Sequence, residues 1–411
     1  MHGHHLTHID DPGSARIPGG LSIVFLVLAV IGTLGFVGLG LAGGDEAIVQ
    51  KAWMGFTVSY VFFFFLSMGA AAFLAINYVV GAKWHIVLKR PFEAIASFSY
   101  RGGFILPIIG ALFGSKHLYS WWADDRTYPY AQTLKGVWLS PGLHVAKVTI
   151  YSVVLAAITY VLVSNSTKAD KARTPDLAAK QCRFSIAFLL VFGPVFSLFG
   201  LDVIKSLEPK WFSTMWGVYC FAGALVSSLA LTMLLAFWMK GRSEHIHERQ
   251  LYDLGTYVMG FATFMMYIGF SQFMLIWYAN LPDETFYYTE RYAGGWAWLT
   301  ISLPILKWVI PFLVLMPPTW RTSRIAQGFV CVCVLAGQLA DVYWMIAPVF
   351  PLGVPTPLRA AYLPNPANVL SFIAVLGFFG WNLTSFLNSN SILPVGDPNL
   401  VNSANGEYLH A

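Results

Sequence analysis

Of the 411 residues 57% are hydrophobic, 16% aromatic and only 11% charged, with a formal net charge of +5. That balance excludes a large soluble domain and places the chain among polytopic membrane proteins. The excess of Lys and Arg reads as membrane topology, not as a nucleic-acid surface.

Residues 1–20 are polar and His-rich (His2, His4, His5, His8), without the basic region, apolar core and cleavage site of a signal peptide. Four histidines can hold a metal, but a solvated tail is the expectation. Apolar spans follow at about 21–42, 53–80, 103–122, 138–163, 183–203, 212–239, 252–281, 295–316, 325–349 and 367–388, each read as a crossing of the bilayer. The predicted fold is therefore an all-α polytopic membrane protein with ten transmembrane helices. Residues 389–411 are rich in Asn, Pro and Gly and are expected to form a polar tail without folded structure.

The N-terminal tail and the loops after the even-numbered spans up to the eighth carry 15 Lys and Arg, against 7 in the opposite loops. By the positive-inside rule both termini face the cytoplasm. The opposite loops 123–137 and 282–294 are acidic and aromatic. Asp124, Asp125, Asp283 and Glu284 suit the docking of a partner outside the cytoplasm, and they fit an interfacial aromatic belt equally well.

Spans two to five (53–203) and six to nine (212–349) form a repeat. Trp138, Ser140 and Lys147 recur at one constant offset as Trp298, Thr300 and Lys307, and Asp202 at the end of the fifth span matches Asp341 in the ninth. Both blocks begin on the same side, so the repeat is parallel, with its axis along the membrane normal. The implied architecture is two four-helix bundles flanked by the helices at 21–42 and 367–388.

Ionisable groups inside the bilayer are costly and are functional candidates by default. The seventh span holds Asp253 at its start, then Tyr257, Tyr267, Ser271 and Gln272, polar groups that need protein or a wet cavity and so predict an inward face. Lys307 lies between Pro304 and Pro311, each of which lacks a backbone donor and frees a carbonyl. Asp341 has Gln338 one turn earlier and Asp202 has Lys205 one turn later, possible partners on the same face. These ten residues make a candidate proton path, and Lys116, His117, His144 and Lys147 a second cluster in the first bundle. The plain alternative is a set of buried pairs that hold helices together.

No catalytic residue or metal site is expected. Cys182, Cys220, Cys331 and Cys333 contain no CxxC or CxxCH, and Cys331 and Cys333 point to different sides of a helix. Only His117 and His144 lie in or at spans, too few for a cytochrome b pattern beyond one haem between them. No nucleotide-binding glycine pattern or Fe–S cysteine set occurs either, so the chain is expected to hold no redox centre of its own. Tyr60, Tyr78, Phe62 to Phe65, Trp121 and Trp122 can line a quinone pocket, although packing is the default for such rings.

The stretch YIGFSQFMLIWYANLPDET (Tyr267 to Thr285), with SLEPKWFSTMWGVYCFAG (Ser206 to Gly223), resembles the NrfD-like, or polysulfide-reductase-like, membrane subunits of bacterial alternative complex III, a quinol oxidoreductase. The likeness covers roughly residues 51–350. It implies a multi-pass subunit of the bacterial inner membrane with proposed proton half-channels and no cofactor. It also implies partners: a second NrfD-like subunit that binds quinol, an extracytoplasmic Fe–S subunit, and cytochrome c subunits with haem c. The competing readings are an NrfD-like anchor with its own quinone site and a secondary transporter.

Overall fold

The computed structural model describes residues 9–42, 45–122, 133–172, 176–243, 245–293, 295–349 and 366–406. Among them ten helices are long and apolar enough to cross a membrane: Gly19–Leu41, Glu46–Val79, Ile86–Leu118, Pro141–Lys171, Ala179–Leu207, Trp216–Lys240, Glu248–Ala279, Trp296–Leu315, Arg324–Val349 and Pro366–Ser389. The protein is an all-α, multi-pass membrane protein. Helices satisfy their own backbone groups, which is what hydrocarbon demands of any crossing segment.

The second span is almost wholly buried and the sixth largely so, whereas most of the first is bare. Second and sixth therefore form the centre. They meet at Gly69, where a Cβ would overlap the Ala224 backbone, so a small residue sets the close approach. The second span packs on the third and fifth, the third on the fourth, and the fourth on the fifth. The sixth repeats the pattern with the seventh and ninth, and the eighth lies on both of those. Two four-helix bundles thus meet along the second and sixth spans, and the tenth lies on the second and third with the first outside it.

Two expectations need correction. The third span starts at Ile86, not near 103: Lys89, Arg90 and Glu93 sit inside it, fully buried, and it kinks at Arg101 and Gly102, where Gly102 takes φ 115°, before running on to Leu118. The tails are also not merely polar. Ile9, Ala15, Ile17, Leu393 and Leu400 are buried. The Ile392 N–H donates to Gly13 O at 2.8 Å, Ile17 N–H to Asn388 Oδ1 at 2.8 Å, and Leu400–Asn405 forms a short helix. His2, His4, His5 and His8 lie outside the described residues.

These contacts define one end of the molecule. The C-terminal segment reaches Lys89, Asp170, Gln250 and His247, so both chain ends gather with the basic loops. The acidic stretch 282–293 marks the other end.

Candidate functional site

In the first bundle Lys147 and Tyr151, one turn apart on the fourth span, face the fifth span together. Lys147 Nζ donates to Asp202 Oδ1 at 2.8 Å, and Tyr151 Oη to Oδ2 at 3.0 Å. Trp138 Nε1 adds a third donor at 2.8 Å, and its ring lies 3.7 Å from the lysine nitrogen. In the second bundle Lys307 Nζ donates to Asp341 Oδ2 at 2.8 Å, and Tyr219 Oη to Oδ1 at 2.6 Å. Side-chain exposure is 8% and 2% for the first pair and 6% and 0% for the second. Four charges are thus held out of water in two pairs at corresponding places. Such burial is tolerable only because each carboxylate receives the lysine and further donors.

The local backbone differs. Lys147 lies in an unbroken α-helix, Pro141–Ala172. Lys307 lies in a π-turn, Ile305–Val309, bounded by Pro304 and Pro311. The missing proline N–H groups remove the donors that would keep a regular ladder, and π-turns in helices often accompany functional sites. A cavity of about 260 Å³ opens beside Lys307, lined among others by Gly269, Phe273, Tyr288, Tyr292 and Thr300. A closed space with no room for a water, lined by His144, Val148 and Val203 among others, lies on the His144 side of the fourth span and is lined by neither Lys147 nor Asp202.

Scanned against family models the chain matches none, and no curated protein matches it.

The predicted intrahelical partners are replaced by partners on neighbouring helices. Asp202 is engaged by Lys147, Tyr151 and Trp138, while Lys205 lies in the turn Lys205–Leu207 beyond the helix. Gln338 packs under Gly223, and its Oε1 has no partner among the described residues. The seventh span does not turn its polar residues inward as a set. Tyr267 is 65% exposed and Tyr257 38% exposed. Tyr257 stacks on Trp84, with ring centroids 5.0 Å apart, at the basic end. Asp253 pairs with Arg249 at 3.4 Å, about 28 Å along the helix from Gln272 at 1.5 Å per residue. Ser271 is half-buried and Gln272 buried, with its Nε2 unpartnered among the described residues. Gly269, one turn before it, lies against the Tyr219 ring.

The second predicted cluster divides. Lys116 is exposed and His117 Nδ1 meets Glu46 Oε1 at 2.6 Å on the rim. His144 is walled by Tyr119, Trp121 and Trp122, at centroid distances of 4.8, 5.2 and 6.1 Å. Of the four, only Lys147 joins a buried pair with an acid.

Three groups escape the sequence reading. Tyr151 was findable, since it lies four residues after Lys147; Tyr219 had no such signal. Arg291, in the sequence merely a loop charge, is fully buried and donates to Tyr287 O at 3.0 Å and to Trp344 O and Met345 O at 3.2 Å. Burial draws its guanidinium below the ordinary value. It pins the helix Pro282–Tyr292 across the acidic end of the second bundle, where Tyr287 stacks on Trp211 at 3.8 Å. Asp283 is exposed and Glu284 half-exposed at the start of that helix, where acids favour the dipole. Asp124 and Asp125 lie outside the described residues.

At the basic end Lys89 Nζ meets Asp397 Oδ2 at 3.0 Å, and Arg90 bridges Glu93 and Asp170. The Asp397 carboxyl, which burial would raise, is held below its usual range by Lys89 and by the Asn399 N–H at 3.0 Å. His85 beside it is pushed down to about 3 by burial and by Lys89.

Proposed function

We propose that the chain is an ActF-like membrane subunit of an alternative complex III-type quinol oxidoreductase of the bacterial inner membrane. It carries no redox cofactor of its own and handles protons at Lys307 and Asp341. The observation that carries this reading is the Tyr219–Asp341–Lys307 constellation, set in a proline-bounded π-turn beside a cavity. Two ionisable groups in hydrogen-bond contact, with space for water on one side, can exchange a proton without separating charge in hydrocarbon. Quinol chemistry itself is assigned to partners: a second NrfD-like subunit, an Fe–S subunit, and cytochrome c subunits with haem c. Asp283 and Glu284 on the pinned helix, with Asp124 and Asp125, supply the acidic face for docking. The basic-residue bias puts both termini in the cytoplasm under this reading.

Purification in mild detergent tests the reading. Co-purifying multihaem cytochrome c and Fe–S subunits are the expected result. A solitary protein with substrate-dependent flux in proteoliposomes would establish the transporter reading instead.

A further inference from the structure

Arg101 is a cation without a countercharge. It sits at the kink of the third span, partly exposed, and pairs with no acid among the described residues. Its contacts are Ser385 Oγ at 3.5 Å, the outer limit of a hydrogen bond, and the face of Phe386, 5.6 Å from the guanidinium carbon. A guanidinium offers five N–H donors, so most of them have no partner among the described residues. The nearest acid along the same helix, Glu93, is bound to Arg90. Such a charge at the edge of a membrane calls for an anion from outside the chain.

The depth of Arg101 indicates where that anion comes from. At 1.5 Å per residue it stands about 26 Å from Leu118, the far end of the span, against a hydrocarbon thickness of about 30 Å. On the tenth span, Ser385 lies one turn inside the last residue, Ser389. Both measures put the guanidinium where hydrocarbon gives way to headgroups at the basic end. Toward the acidic end the same side of the third span is bare and apolar, with Ile105 and Leu112, four and eleven residues on, both exposed. Gly102 lets the tenth span close on the kink, since a Cβ there would lie 2.8 Å from the Phe378 ring.

Arg16 supplies a second cation at the same helix end. Its neighbours are tied to the tenth span, Ala15 N–H donating to Leu387 O at 3.2 Å and Ile17 N–H to Asn388 Oδ1 at 2.8 Å. Arg16 itself takes φ 48°, a left-handed conformation that is costly for a residue with a Cβ, and its side chain is exposed. An acidic protein would have to meet these charges beside an apolar face. A phospholipid brings phosphate and acyl chain together.

We propose that this corner of the third and tenth spans binds one anionic phospholipid, its phosphate on Arg101 with Arg16 alongside and an acyl chain along Ile105 and Leu112. Arginine donates to phosphate oxygens through two parallel N–H groups. Phosphatidylcholine and phosphatidylethanolamine carry a cation of their own, which two uncompensated arginines disfavour, whereas phosphatidylglycerol carries none. The bound lipid joins the third span to the tenth, independently of proton handling at Lys307 and Asp341.

The test uses the full-length chain, delipidated in detergent and titrated with phosphatidylglycerol or with phosphatidylcholine of the same acyl chains, bound lipid being counted by native mass spectrometry. One phosphatidylglycerol should be retained per chain, about tenfold more tightly than phosphatidylcholine. The thermal midpoint should rise with phosphatidylglycerol alone. Arg101→Gln should remove the preference, and Arg101→Lys should keep part of it. A diazirine-bearing phosphatidylglycerol should label peptides around residues 101–112 and 378–386, and excess inorganic phosphate should leave the lipid bound. Equal affinities for the two lipids in the wild type overturn the proposal, as does a preference that survives Arg101→Gln or a label spread over the whole lipid-facing surface. Displacement by inorganic phosphate would mark a free-anion site and overturn the lipid assignment. Should Arg101→Gln fail to fold, the wild-type contrast and the label map decide.

Discussion

The two bundles hold the same pair of residue types at corresponding positions and build it differently. Asp202 takes three side-chain donors, and its lysine sits in a regular helix. Asp341 takes two donors, and its lysine sits in a π-turn and lines a cavity. A carboxylate has about four acceptor positions. The first is the more fully paired, and the second keeps more spare acceptor capacity. Repetition of the residue pair therefore does not bring with it repetition of the pair's surroundings.

The largest expected effect breaks the first pair. Lys147→Met leaves the Asp202 charge buried without its countercharge, which should cost roughly 3–5 kcal/mol, measured by SDS-induced unfolding. The double replacement Lys147→Met with Asp202→Leu should recover most of that loss. Lys307→Met should cost less than half as much, because the cavity that Lys307 lines leaves room for water where its ammonium was. Equal losses at the two lysines would erase the distinction between the bundles.

The functional counterpart follows. In the assembled complex, Asp341→Asn or Lys307→Met should leave quinol oxidation largely intact and lower the protons translocated per electron, measured with a pH dye in proteoliposomes. Normal assembly with an unchanged ratio would return Lys307 and Asp341 to the status of a structural ion pair.

Much of this arrangement was legible in the chain. Ten apolar stretches report themselves through hydropathy, and the constant offset between the blocks marked both lysines. Pro304 and Pro311 announced a distorted helix around Lys307. The start of the third span was hidden because Lys89, Arg90 and Glu93 lower its hydropathy, while two of the acids that neutralise them, Asp170 and Asp397, lie far away in sequence. The inward face of the seventh span failed for a different reason. A tyrosine hydroxyl does not by itself mark burial, and Tyr267 projects from the molecule. Periodicity finds partners for the acids along one helix, whereas helix packing supplies them across two.

The buried charges at the basic end give a pH-dependent contrast to both pairs. His85 has a folded value of about 3 against an ordinary 6.5, so the unfolded chain binds a proton that the folded one refuses. Stability should therefore fall as pH drops below the ordinary histidine value, by about 1.4 kcal/mol per unit, or about 2 kcal/mol by pH 5. The Asp397 carboxyl, depressed in the fold, keeps its stabilising charge until more acid pH. Unfolding midpoints at about pH 7 and about pH 5, on either side of that value, check this, and His85→Leu should flatten the difference. An equally steep dependence in that variant would move the titration to another group.

The smallest effect sharpens the comparison most, because it removes a single hydroxyl in each bundle. Tyr151→Phe removes one of three donors to Asp202, and Tyr219→Phe removes one of two donors to Asp341. A single hydrogen bond to a charged group contributes roughly 1.5–3 kcal/mol. Tyr151→Phe should therefore cost about 2 kcal/mol. In the second bundle a water from the adjoining cavity can take the place of the tyrosine hydroxyl, at an immobilisation cost of about 0–2 kcal/mol, so Tyr219→Phe should cost about 1 kcal/mol or less. Unfolding measurements on the two variants in the same detergent read the difference directly. If Tyr219→Phe proves the more costly, no water reaches Asp341 and the cavity does not serve the pair.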